Sequence, residues 1–309
     1  MTLYENWTAV PHGARGSAVA LGNFDGVHLG HAHLLKSLHA ARPDLPLGVV
    51  TFEPHPREFF RPQDPPVRLM LPPVRARFLH ELGVKQIFQL PFDADFSHMP
   101  PERFVEDVLH HGLGVQHVAC GPDFAFGHRR AGDIGYLGHR LETFGIGLTI
   151  VPPLTDISGP FSSSRIRRLL QEGYPERAAE ELGRPWFITG AVAHGDKRGR
   201  LLGFPTANIP LGRHVEPARG VYAATIRHPD GRISSGVANI GRRPTINDGQ
   251  ESRLEVHLFD VSEDLYGQVL EVSLHKLLRE ERRFDGLDAL KAQIAEDASQ
   301  ARAVLSPAI

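Results

Sequence analysis

The sequence predicts two domains: an α/β domain on a mostly parallel sheet, then a mainly-β domain closed by a C-terminal helix. Three observations carry this. The chain has 309 residues, more than one usual domain. From Ser17 to about Val151, short apolar runs alternate with amphipathic helical stretches, the signature of βαβ units. After Gly183-Arg184-Pro185-Trp186 the rhythm changes to runs rich in β-branched and aromatic residues, which read as strands. The expected boundary divides the chain into residues 1–184 and 185–309.

In the first half, AVALGNF, LGVVTF, KQIFQL, VQHVAC and IGLTIV read as strands. HAHLLKSLHAA, VRARFLHELG and PERFVEDVLHHGLG read as the helices between them, with Leu34, Leu35 and Leu38 as the buried stripe of the first. Two further helical patterns, SSRIRRLLQEG and YPERAAEELG, follow. In the second half the strands are WFITGAVAH, GVYAATIRH, RISSGVANIG, RLEVHLFDV and QVLEVSLHKLL, and Asp230-Gly231 marks a hairpin turn between two of them. This is an antiparallel barrel or sandwich. LDALKAQIAEDASQARAVL returns to helical periodicity, with Leu287, Leu290, Ile294 and Ala298 on one stripe.

Composition limits the function classes. With 41% hydrophobic and 23% charged residues the chain is an ordinary globular one, and its formal net charge of −2 supplies no basic field for nucleic acid or an anionic membrane. The N-terminus lacks a signal-peptide apolar run, and no stretch is long enough for a membrane helix. The single cysteine, Cys120, makes no intramolecular disulfide and reads as a small buried hydrophobe. A cytoplasmic enzyme is expected, and nothing in the sequence sets its oligomeric state.

Chemistry concentrates in a few segments. In GNFDGVHLGH (22–31) a glycine turn leaves a strand and enters a helix, where backbone N–H groups and the helix dipole favour phosphate. His28 and His31, three apart, share a face of the first turn and suit donation to an oxygen gaining charge during phosphoryl transfer. Asp25 suits holding the loop, capping the helix or meeting a metal. Exposed helix histidines, zinc ligands and a dinucleotide turn are the competing readings. The last two fit poorly, since the spacing is not HExxH and GxGxxG is absent. Ser162, Ser163 and Ser164 open a helix carrying Arg165, Arg167 and Arg168, either as plain caps or as a second phosphate cradle. Asp123 in GPDFAFG follows a strand, as a ligand contact or a structural turn. In GDKRGRLLGFPTANI (195–209), Thr206 and Asn208 share a face if extended, an arrangement suited to Mg²⁺ on ATP phosphates.

These motifs, in this order, resemble the bacterial bifunctional riboflavin kinase/FAD synthetase family. GNFDGVHLGH is similar to the HxGH signature of nucleotidyltransferases. TFEPHPREFF (51–60), GPDFAFG (121–127) and SSSRIR (162–167) resemble the rest of the family's first domain, and GDKRGRLLGFPTANI its riboflavin kinase signature. The resemblance implies a Rossmann-like HxGH nucleotidyltransferase domain and a riboflavin kinase barrel with a C-terminal helix. It implies phosphorylation of riboflavin to FMN with ATP and Mg²⁺, then adenylylation of FMN to FAD.

The resemblance also implies residue roles. His28 and His31 would serve adenylyl transfer, with Gly22, Phe24, Asp25, Asp123, Ser163, Ser164 and Arg167 binding ATP there. Gly195, Lys197, Gly203, Thr206 and Asn208 would bind ATP in the kinase, the last two also holding Mg²⁺, and Glu255 would be the general base. Phe52, Pro54 and His55 would border flavin in the first domain, Arg279 and Phe284 in the second. Glu280 stands where family members often carry proline. Two rival readings are another HxGH nucleotidyltransferase with an appended β-domain, and a flavin-binding regulatory protein without turnover.

Overall fold

The computed structural model describes residues 1–194, 206–244, 250–261 and 263–306, with side chains of 242–251 excepted. Two compact units emerge: Met1–Asp64 with Pro72–Ser162, and Pro65–Leu71 with Ser163–Ile309. The helices Ser163–Gln171 and Pro175–Leu182 thus group with the second unit.

The first unit holds a six-stranded, all-parallel sheet. Its strands are β1 (Thr2–Tyr4), β2 (Ala18–Leu21), β3 (Leu47–Glu53), β4 (Gln86–Pro91), β5 (His117–Cys120) and β6 (Gly147–Ile150), ordered β1-β4-β3-β2-β5-β6. Strand β2 is central and wholly buried, as an unbroken apolar run should be when helices cover both faces. The order reverses at β2, so the loop after it opens at the crevice where open α/β sheets bind ligands. The helix Leu29–Ala41 follows, burying Leu35 and Leu38, with Leu34 only half-buried. Cys120 is fully buried, and burial pushes its thiol up to about 11. The expected helix PERFVEDVLHHGLG is a short α-turn, Pro101–Arg103, running into a π-helix, Phe104–Gly112. A two-stranded ribbon, β7 (Thr155–Asp156) and β8 (Gly159–Pro160), ends the unit.

In the second unit the strands are β9 (Trp186–Ala191), β10 (Ala207–Pro210), β11 (Gly220–Arg227), β12 (Ile233–Pro244), β13 (Gln250–Leu258) and β14 (Val269–Arg279). They pair antiparallel in the order β10-β13-β12-β11-β14-β9. The two edges meet: Ala193, just beyond β9, donates its N–H to the Asn208 carbonyl on β10 at 2.8 Å. That bridge makes the sheet a nearly closed barrel and removes most of the exposed edge. The hairpin at Asp230-Gly231 forms as expected, with His228 N–H bonded to the Arg232 carbonyl.

Alternation sorts the barrel strands. Tyr222, Ala238, Ile240, Leu254 and Val256 point inward and are buried in the barrel core, so the residues between them face out. The helix Leu287–Leu305 covers part of that outer face, with Ala298, Ala301 and Leu305 packed near Ala223 and Phe259. Its expected apolar stripe holds only partly: Leu287 is 64% exposed, while Leu290 and Ile294 line a pocket instead of filling the core.

Candidate active sites

The GNFDGVHLGH turn is tight and strained. Phe24, Gly26 and Val27 all have positive φ (51°, 85° and 41°), which glycine accepts and the other two adopt at a cost of about 1–3 kcal/mol each. Surrounding structure holds them there. Phe24, Asp25, Val27 and His28 are buried. The carbonyl of Asn23 accepts hydrogen bonds from Thr51 Oγ1 at 3.1 Å and from the guanidinium of Arg75 at 3.2 Å. Arg75, 2% exposed, also donates to Gln89 Oε1 at 2.9 Å and pairs with Glu53 at 3.6 Å.

His28 and His31 cap the helix together. The N–H of His31 donates to His28 Nδ1 and the N–H of His28 donates to His31 Nδ1, both at 3.3 Å, and the rings stack with centroids 3.7 Å apart. Because each Nδ1 accepts, the neutral form of each ring carries its proton on Nε2. The cap therefore orients two Nε2–H donors from one helix start. Gly30 leaves room for the stack, since a Cβ there would lie 3.0 Å from His28 Cε1 and Nδ1. Phe24 flanks His31 at 5.0 Å, and Gly22 donates its N–H to the Val50 carbonyl.

Of the other predicted groups of the first unit, Phe52 lies near the end of β3 and the rest on loops leaving the sheet. Phe52 packs against Phe92 and Phe96 at 5.9 and 5.6 Å. His55 caps the helix Pro56–Phe60 through Nδ1, reciprocated by Glu58, and Pro54 precedes it. Asp123 is exposed in the turn after β5. In the second unit Ser163 begins its helix, Arg165 forms a 2.5 Å ion pair with buried Glu181, and Arg167 Nε donates to the Val67 carbonyl at 2.6 Å.

The second unit also contains a pocket of about 370 Å³ on the barrel's outer face. Its floor is part of a row of residues in register across the strands, with Glu255, Asn239, Val221 and Arg279 lining the pocket and Asn208 the next residue along the row. Asn208 opposes Glu255, Glu255 opposes Asn239, Asn239 opposes Val221, and Val221 opposes Arg279. Thr206 and His257 line it as well, and Phe284, Leu290 and Ile294 form an apolar wall. Asn208 is 9% exposed at the barrel closure, while Glu255 is solvent-exposed. Thr206 and Asn208 offer a hydroxyl and an amide oxygen beside a carboxylate, a hard donor set that fits Mg²⁺ retaining water and phosphate ligands. Gly195, Lys197 and Gly203 lie outside the described residues. Sequence reading missed Arg75, Asn239, Gln293 and Asp297.

An α/β unit with an imidazole pair at a helix start after the central strand, and a barrel with a carboxylate beside hard oxygen donors, fit a two-domain nucleotidyl- and phosphotransferase. The FAD synthetase family model matches residues 10–165 and the riboflavin kinase model residues 182–305. The chain belongs to the bifunctional riboflavin kinase/FAD synthetase family. It is similar to the bifunctional riboflavin kinase/FMN adenylyltransferase of Escherichia coli K12, 42% identical over 93% of this chain and 92% of that protein. The enzyme of the same name from Bacillus subtilis is 37% identical over 92% and 91%. A crystal structure described as a macrolide-efflux protein from Streptococcus pneumoniae matches with TM-score 0.87 and 31% identity over 97% of this chain and 98% of that one. Among the described residues no helix is long and apolar enough to cross a membrane.

Proposed function

We propose that this chain makes FMN in its barrel domain and FAD in its α/β domain, with the division of labour at residues 184/185. The observation that carries the kinase assignment is the in-register row in which Glu255 and Asn239 line the pocket and Asn208 opposes Glu255. Glu255 accepts the proton of the ribityl 5′-hydroxyl, whose oxygen attacks the γ-phosphorus of ATP as ADP leaves. Thr206 and Asn208 hold Mg²⁺, which when bound offsets charge on the ATP phosphates. Gly195, Lys197 and Gly203 contact the nucleotide, and Arg279 and Phe284 border the flavin.

For the adenylyl step, the FMN phosphate attacks the α-phosphorus of ATP and pyrophosphate departs. The Nε2–H donors of His28 and His31 stabilise the charge that develops on the phosphoryl oxygens, a role supported by the tautomer that their reciprocal cap selects. Gly22, Phe24, Asp25 and Asp123 shape the nucleotide end of this turn, and Phe52, Pro54 and His55 the flavin end. Ser163, Ser164 and Arg167 form a phosphate cradle at their own helix start. The enzyme works in the cytoplasm and binds neither nucleic acid nor membrane. Incubation with riboflavin, ATP and Mg²⁺, followed by chromatography of the flavins, should yield both FMN and FAD. Absence of both refutes the proposal, and FMN alone removes the role given to the first domain.

A further inference from the structure

The C-terminal helix carries a clasp built on one buried carboxylate. Asp297 is 3% exposed, and a carboxylate at that depth is costly unless paired. Arg279 pairs with it: Nε lies 2.9 and 3.1 Å from the two oxygens, Nη2 lies 2.8 Å from Oδ2, and Nη1 donates to the Glu280 carbonyl at 3.0 Å. One turn back, Gln293 donates Nε2 to Asp297 Oδ1 at 2.6 Å and accepts the Arg282 guanidinium on Oε1. Both guanidiniums then lie over the Phe284 ring, 5.5 Å from its centroid for Arg279 and 4.9 Å for Arg282. Every arm of this network converges on one aromatic side chain of the pocket wall.

We infer that Asp297 is a positioning residue for flavin in the kinase pocket, fixing Phe284 through Arg279 and through Gln293–Arg282 as a flat wall for an aromatic ring system. Arg279 has all three guanidinium nitrogens engaged and its charge matched by Asp297, so it acts as the hinge of the wall rather than as a phosphate ligand. The inference rests on the kinase reading of this pocket. It predicts an effect confined to one substrate: loosening the wall weakens flavin binding while the ATP end, at Thr206 and Asn208, is untouched.

Steady-state phosphorylation of riboflavin by the full chain tests this, comparing wild type with Asp297→Asn, Arg279→Lys and the double variant. Asp297→Asn should raise the riboflavin KM on the order of tenfold to a hundredfold, the range for a lost hydrogen bond to a charged group. The ATP KM and kcat should stay within about twofold, as expected when binding common to ground and transition states is removed. The double variant should raise the riboflavin KM by clearly less than the product of the two single effects, because the two substitutions share the Arg279–Asp297 pair. Thermal unfolding of each variant, read beside the ATP KM of the same domain, reports that the barrel is folded. If Asp297→Asn does not fold, Gln293→Leu breaks only the Arg282 arm and should raise the riboflavin KM by a smaller factor. An equal rise in ATP KM, or an unchanged riboflavin KM, overturns the inference. A wild type that forms no FMN overturns the kinase reading itself, and the inference with it.

Discussion

Gly30→Ala isolates the imidazole pair from the rest of the adenylyl site. The added methyl would sit 3.0 Å from His28 Cε1 and Nδ1 and 3.4 Å from the Phe161 carbonyl oxygen. Carbon contacts settle at about 3.5–4.0 Å, so the His28 ring must retreat by about half an ångström. The retreat cannot stay local, because His28 is bonded to the His31 N–H and stacked on its ring. Misplacement of a catalytic group by about 1 Å costs on the order of a hundredfold, so for this smaller shift a fall of about tenfold in kcat for FAD formation is expected. Stability should move little, since alanine gains up to about 1 kcal/mol over glycine in a helix and that gain offsets the crowding. The assay is FAD formation from FMN and ATP, alongside thermal unfolding and riboflavin phosphorylation. Wild-type FAD formation with an unchanged Tm would refute the claim that ring placement sets the rate.

Other perturbations have equally definite outcomes. Arg75→Ala strips a buried guanidinium from Asn23, Gln89 and Glu53, and breaking a buried pair costs about 3–5 kcal/mol, so the Tm should drop measurably and FAD formation should fall with it. Cys120, with its thiol pushed up to about 11 by burial, should resist alkylation at pH 8 in the native protein and react once unfolded, as mass spectrometry would read. Burial lowers the pKa of His275, which bonds Thr225, and of His117, which bonds Thr149. The unfolded chain therefore binds more protons below about pH 6.5, and stability is present above that pH and lost as pH falls toward the lowered folded values. His275→Gln should flatten that part of a denaturation series across pH, and an unaltered slope would contradict the assignment.

The sequence made some levels of this account readable and hid others. The parallel sheet was legible because strands buried on both faces read as unbroken apolar runs, and the barrel because its runs are short and rich in β-branched and aromatic residues. The imidazole pair was legible from spacing, but its reciprocal cap was not, since histidine is an uncommon N-cap and the bond depends on ring orientation. Arg75 sits in an amphipathic stretch where an arginine reads as solvated, and only the fold turns it toward Asn23. Strand β1 is three residues long, too short for its alternation to register. The row from Asn208 to Arg279 joins five strands and exists only once their register is set. Asp297 was the most readable of the missed groups: a carboxylate on the apolar face of the last helix, in step with Leu290, Ile294 and Ala301, signals a buried partner.

The central claim, that one chain divides two reactions between two domains, is tested most directly by crossing two variants with two substrates. His31→Ala should abolish FAD formation while leaving FMN formation from riboflavin intact. Glu255→Gln should cut FMN formation by roughly a hundredfold or more, the range for a lost general base, while still converting added FMN to FAD. If each folded variant instead lost both activities, or if Glu255→Gln phosphorylated riboflavin at the wild-type rate, the account would be contradicted.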